Sequence, residues 1–300
     1  MKPVNFQLLE ARSSDEARQL LAAHGDDARL IAGGQSLVPL LNFRMARPRV
    51  LIDLNLAEDL VFIREAGDGL AIGAMTRQRS LERSALVGSR CPLMGDALPL
   101  MSHPPIRNRG TLGGSLSHAD PAAELATVCL ALDAVMVATS TAGTRRIAAK
   151  EFFTGALTTA LRPEELLTEI HLPPWPGHAG CAFEEIARVR GGLAMVGVAA
   201  VLVLGADRRV VDARLAYASM GQTPLRARNA EAALRGQPAD RTSFAAAAEQ
   251  AVFELDPGSD VHASAAYRSA VAKALTRRAL SAASTRAAAH AALPANGRAA

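Results

Sequence analysis

Short apolar runs punctuated by glycine organise the start of the chain. Ser13 to Glu16 has the Ser-x-x-Glu form of a capping box, in which the serine oxygen accepts from a first-turn amide and the glutamate reaches back. A helix is therefore predicted from about Asp15 to Ala23, stopped by Gly25. Ala28 to Ala32 (ARLIA) reads as a short buried strand, Gly33 and Gly34 as a loop, and Leu37 to Arg44 as helix or extended turn. Val50 to Leu54 (VLIDL) is a second strand, completing a β-loop-β unit of α/β type. Asp120 and Pro121 read as N-cap and N1 of a helix continuing through Leu132.

Ala134 to Thr139 and Arg145 to Ala149 alternate around a Thr-Ala-Gly-Thr turn, the pattern of a hairpin. The stretch LPPWPGHAG, Leu172 to Gly180, packs prolines and glycines into a linker after which a C-terminal domain begins. In that domain Met195 to Leu204 and Val211 to Met220 read as strands, and Ala227 to Leu234, Ser243 to Phe253 and Ala263 to Leu280 as helices. After Ser281 the chain turns alanine-rich with Pro294 and Gly297, and a frayed tail is expected.

At 300 residues and 49% hydrophobic content the chain can build a core for each of two domains. The apolar stretch from Leu125 to Val137 is preceded by Glu124 and broken by Asp133, too short for the ~20 clean residues a membrane span needs. The opening MKPVNFQLLE has no apolar export segment, so a cytoplasmic location is expected. Cys91, Cys129 and Cys181 stand apart in apolar surroundings without a CxxC spacing, which excludes a zinc ribbon and a four-cysteine iron–sulfur site. They read as buried free thiols, and no metal site is expected. The net charge of +4 is spread among interleaved acids and bases and aromatics are only 4%, so no nucleic-acid surface is expected.

Two glycine loops carry the chemistry. AGGQSL, Ala32 to Leu37, places paired glycines at a strand end before Gln35 and Ser36. It reads either as a tight strand-to-helix turn or as a concavity of inward amides that an anion can approach without a Cβ in the way. It lacks the G-x-G-x-x-G spacing of the dinucleotide fingerprint. GTLGGS, Gly110 to Ser115, repeats the chemistry with hydroxyls at Thr111 and Ser115. Two such loops in one domain suit two phosphates, or one pyrophosphate gripped from both sides. Arg107 and Arg109 just before the second loop read as a solvated basic arm, and His103 and His118 as polar surface or satisfied half-buried imidazoles.

AGGQSLVPLLNFRMARPRVLIDLN, from Ala32, together with HPPIRNRGTLGGSLSHADPAAELATVCLAL, from His103, resembles the FAD-binding medium subunit of the molybdenum hydroxylases, over roughly Pro3 to Leu280. The resemblance implies an α+β chain. A two-lobed FAD-binding domain of the PCMH/vanillyl-alcohol-oxidase type would occupy residues 1–175, with a small α/β lobe at 1–56 and an antiparallel-sheet lobe at 57–175. A smaller C-terminal flavoprotein domain would span 176–281, followed by a flexible tail at 282–300. It also implies noncovalent FAD, with Ala32, Gly33, Gly34, Gln35, Ser36 and Leu37 on one side of the pyrophosphate. Thr111, Leu112, Gly113, Gly114 and Ser115 would lie on the other side. Glu124 falls where the family places an acceptor for ribityl or ribose hydroxyls, Leu167 at an apolar position near the flavin ring or adenine, and Leu193 where an aromatic often faces the isoalloxazine.

This chain departs from the family's Arg-x-x-Gly-Asp-(Tyr or Phe)-Ala run, having RVRGGLA at Arg188 to Ala194. Gly192 replaces the aspartate, Leu193 the aromatic, and Glu185 stands where a basic residue is frequent, changes that bear on flavin tuning rather than binding. The implied role is electron relay from [2Fe–2S] clusters of a small subunit through FAD to an external acceptor, with molybdopterin on a large subunit in a dimer of heterotrimers. No catalytic acid or base is required. Two other readings are a self-sufficient FAD oxidase or dehydrogenase and a non-redox assembly subunit that has lost its flavin.

Overall fold

The computed structural model describes residues 2–292, which cluster into two compact units. The first comprises the chain up to Arg90 with Ser102–Asp120 and Asp133–Pro173; the second comprises Cys91–Met101, Pro121–Leu132 and the chain from Pro174 onward. Two excursions, Cys91–Met101 and Pro121–Leu132, thus join the second unit ahead of residue 174. The reason is visible at the helix Glu124–Ala131, buried at every residue, whose apolar sides are covered by the C-terminal sheet.

In the first unit the strands β1 (Gln7–Glu10), β2 (Ala28–Ile31) and β3 (Val50–Asp53) form a parallel sheet in the order β1-β3-β2. The crossover between β1 and β2 is the helix Ser14–His24, one residue longer at each end than the pattern predicts. The Ser13 hydroxyl accepts from the Glu16 amide at 3.1 Å, and the Glu16 carboxylate accepts from the Arg12 amide at 2.8 Å. The capping box thus closes one residue farther back than its usual form. β1 escaped the pattern because three of its four residues are exposed, leaving no buried run to read.

The remaining strands of this unit are β4 (Ile63–Ala66), β5 (Gly69–Gly73), β6 (Val135–Ser140), β7 (Gly143–Ala148), the short pair β8 (Phe153–Gly155) and β9 (Thr158–Thr159), and β10 (Leu166–Leu172). β4-β5-β10-β6-β7 is an antiparallel sheet, and the expected β6–β7 hairpin closes with Ser140 opposite Gly143. Met75 and Leu166 pack with Leu21 of the helix Ser14–His24 and with Val50 and Ile52 of the small sheet in one apolar cluster.

The second unit carries β11 (Ala179–Ala187), β12 (Ala194–Leu204), β13 (Val210–Ala218) and β14 (Leu225–Arg226), antiparallel in that order. The helices Arg228–Leu234, Arg241–Val252 and Ala265–Ala292 pack with this sheet around a core that includes Val198, Leu215, Tyr217 and Leu280. The frayed tail expected from residue 282 is helical through Ala292, because Ala283 and Ala287 are fully buried and supply the packing face. Residues 293–300 of that expected tail lie outside the described residues. The helix expected from Asp120 starts instead at Glu124 with Ala123 as its cap residue. The preceding helix, Leu112–His118, ends in a left-handed Ala119, and Pro121 and Ala122 turn the chain before the new axis begins.

Candidate cofactor-binding site

The first glycine loop leaves β2 and enters the helix Leu37–Asn42. Gly34 is left-handed at φ 73°, a conformation glycine adopts without a Cβ penalty. The Gln35 side-chain amide donates to the Gly33 carbonyl at 2.9 Å and folds the loop on itself. The backbone amides of Gly33, Gly34, Gln35 and Ser36 donate to no acceptor among the described residues. Successive unpaired amides at a helix start form a concavity for an anion.

The second loop is built differently. It links the helix Pro104–Arg109 to the helix Leu112–His118, whose N-cap Thr111 accepts from the Gly114 amide at 3.1 Å. The Leu112 amide donates to the Thr76 carbonyl at 3.0 Å and the Gly113 amide to the Ala74 carbonyl at 2.8 Å. The amides of Leu112, Gly113 and Gly114 are therefore consumed within the protein, and what the loop presents is the exposed Gly114 backbone and the half-buried Ser115.

The glycines answer first to the protein itself. A Cβ on Gly33 would drive into the Arg109 carbonyl, and one on Gly113 would lie 2.5 Å from the Ala74 methyl. Gly33 thus lets the first loop lie against the backbone of the second. A valine at either position is a folding lesion before it is a binding lesion. Gly114 looks toward Ala32, 3.7 Å from where its Cβ would be.

A pair of residues without a motif staples the loops together. The Asn55 amide donates to the Ala32 carbonyl at 3.1 Å and is itself bound by the Arg77 guanidinium, 2.6 Å from its oxygen. Arg77 also donates to the Arg109 carbonyl at 2.5 Å. Partial burial, and then repulsion from Arg109, lower the Arg77 pKa, although the guanidinium remains charged at neutral pH. Arg107 is not a solvated arm: it is 4% exposed, paired with Glu82 at 3.0 Å and donating to the Ser102 carbonyl. Arg109 is exposed, as is His103, and His118 is half-buried. Leu167 is buried at a bulge of β10.

In the second unit Glu124 opens its helix and is 7% exposed. On β11, burial and then the charge of Glu124 push the Glu185 pKa up to about 8. Leu193 lies on the turn before β12 and is 64% exposed. All three cysteines are buried and free, and burial pushes the Cys91 and Cys181 thiols up to about 12, making them inert. Among the described residues no group of His, Cys, Asp or Glu is placed to hold a metal ion, and no helix is long and apolar enough to cross a membrane.

A parallel α/β sheet beside an antiparallel one, a glycine loop offering free amides, and a separate antiparallel α+β unit define an FAD-binding subunit of the molybdenum hydroxylases. The chain belongs to that family: residues 4–175 match the FAD binding domain in molybdopterin dehydrogenase, and residues 181–283 match the CO dehydrogenase flavoprotein C-terminal domain. It is 43% identical over 280 residues to the 6-hydroxypseudooxynicotine dehydrogenase complex subunit alpha of Paenarthrobacter nicotinovorans, covering 93% of this chain and 95% of that one. It is 41% identical to caffeine dehydrogenase subunit beta of Pseudomonas sp. (strain CBB1), covering 95% and 97%. Among solved structures, a chain of the Hydrogenophaga pseudoflava carbon monoxide dehydrogenase superposes with a TM-score of 0.93 at 37% identity, over 95% of this chain and 99% of that one.

The first loop fits the diphosphate of FAD by its donor set, whereas the second fits it through backbone approach at Gly114 and the Ser115 side chain rather than through a full row of amides. Asn55 and Arg77 carried no motif. Asn55 closes the VLIDLN run, and nothing in the sequence marked it or Arg77 as the element joining two loops far apart in the chain.

Proposed function

We propose that this chain relays electrons within a molybdenum hydroxylase complex, binding FAD noncovalently and working with an iron–sulfur small subunit and a molybdopterin large subunit. The carrying observation is the unpaired amide row from Gly33 to Ser36, a donor set suited to a diphosphate. In this reading Ala32 to Leu37 hold the diphosphate, with Arg77 contributing fixed positive charge. Thr111 to Ser115 back the same group, Glu124 accepts from a ribityl or ribose hydroxyl, and Leu167 and Leu193 lend apolar surface. When bound, the flavin supplies the redox chemistry by which electrons from the small subunit's [2Fe–2S] clusters reach an acceptor such as NAD, a quinone, a cytochrome or oxygen. The chain's own task is to orient and tune, and no residue in it needs to move a substrate proton.

The high coverage of relatives that are subunits of named complexes supports partner subunits; the dimer of heterotrimers and a cytoplasmic site of action are part of the proposal. The discriminating experiment compares the isolated chain with the assembled complex. The isolated chain is expected to retain FAD yet oxidise no aldehyde, purine or other N-heterocycle, with turnover appearing only on assembly. Turnover by the isolated chain would favour the self-sufficient oxidase instead.

A further inference from the structure

Leu193 is placed by its backbone rather than by its surroundings. Its side chain is 64% exposed, and the turn before it runs through Gly191, left-handed at φ 72°, and Gly192. The two residues that follow lie where the sheet holds them least. On β11, Ala187 pairs with Ala194 and Ile186 with Val196, so Met195 is the extra residue of a bulge. On the other side β13 ends at Ala218, opposite Gly197, short of both residues. Side chains meet their carbonyls instead. The Ser219 hydroxyl donates to the Ala194 carbonyl at 2.6 Å, and the Arg268 guanidinium donates to the Met195 carbonyl at 2.5 Å.

Both donors are themselves fixed. Ser219 is left-handed at φ 60°, and its amide donates to the Pro121 carbonyl at 2.8 Å. Arg268, in the first turn of the long helix and 5% exposed, donates to the Asp260 carboxylate at 2.7 Å and, farther off, to the Ser219 carbonyl at 3.5 Å. Asp260 in turn accepts from the His262 and Ala263 amides. A left-handed serine needs its surroundings to hold it there, and a buried guanidinium is a weak device for stability alone. Two unfavourable features thus converge on the residues next to Leu193.

We propose that Ser219 and Arg268 are positioning residues: by clamping the Ala194 and Met195 carbonyls they fix the backbone that presents Leu193 to the flavin ring. This rests on the reading of Leu193 as a neighbour of that ring. Loosening the clamp leaves the diphosphate loops of the first unit untouched, so it acts on the tuning of the flavin and not on its retention.

The test uses the full chain as wild type, S219A, R268M and L193A, with S219A also combined with L193A. In the apo chain, amide hydrogen exchange over residues 189–196 is expected to quicken by roughly five- to tenfold in S219A, while the rest of β12 keeps its rate. With FAD bound, S219A and R268M are expected to keep wild-type affinity but to shift the flavin absorbance and midpoint potential in the direction of L193A, and S219A to add nothing in the L193A background. S219A removes one hydroxyl and no charge, so it carries the test even if R268M does not fold. Wild-type exchange at the turn in S219A, or a flavin shift that persists in full in the L193A background, would overturn the clamp. A turn that loosens while L193A leaves absorbance and potential unchanged would instead remove Leu193 from the ring, and the positioning role with it.

Discussion

Gly33 and Gly113 show how a residue of the proposed site can first answer to the fold. A Cβ on Gly33 would strike the Arg109–Gly110 backbone, so its absence brings the two loops together, whereas a Cβ on Gly113 would strike Ala74, and its absence seats the second loop against the end of β5. The staple made by Asn55 and Arg77 is the second device at this scale. Arg77→Met removes two short hydrogen bonds from a charged donor, a loss of about 1.5–3 kcal/mol each at most. FAD affinity is expected to fall by roughly ten- to a hundredfold, measured by fluorescence titration of the apo chain, with a smaller change in melting temperature. Glu231 is a purely structural counterpart: fully buried, it is 2.5 Å from Arg226 and accepts from the Leu215 amide at 2.8 Å. Glu231→Ala takes the carboxylate from a buried guanidinium and is expected to cost about 3–5 kcal/mol in denaturant unfolding, without altering FAD content in whatever fraction stays folded.

Elements with buried faces were legible in the sequence, and elements set by tertiary contact were not. The capping box, the Val50–Asp53 strand and the Val135–Ala148 hairpin announce themselves through caps, alternation and turn residues. β1 could not be read because it is an exposed edge strand, and the last turns of the long helix because alanine-rich composition says nothing of a packing partner. That partner is β11, and Gly180 records it: a Cβ there would strike the Ala283 carbonyl and lie 2.3 Å from the Ala287 nitrogen. Gly180→Ala is expected to destabilise the second unit by about 1–3 kcal/mol through overpacking, seen as a lower unfolding midpoint. The glycine motifs and Glu124 could be singled out in the sequence because their context resembles a known family. Arg77, Asn55 and the consumed amides of the second loop depend on contacts between distant segments, which no local pattern encodes.

At the scale of the molecule the chain interleaves two units, returning twice to the second before residue 133. Glu124 reaches the second unit through one of these excursions, while both glycine loops stay in the first. The account as a whole therefore depends on the first unit's loops holding the cofactor's diphosphate. The direct measurement is the visible absorbance of the purified full chain, followed by mass-spectrometric identification of any cofactor released on denaturation. FAD at close to one per chain, released without covalent attachment, is the predicted result. A colourless chain that takes up no FAD when it is added would contradict the account and leave the glycine loops as packing devices alone.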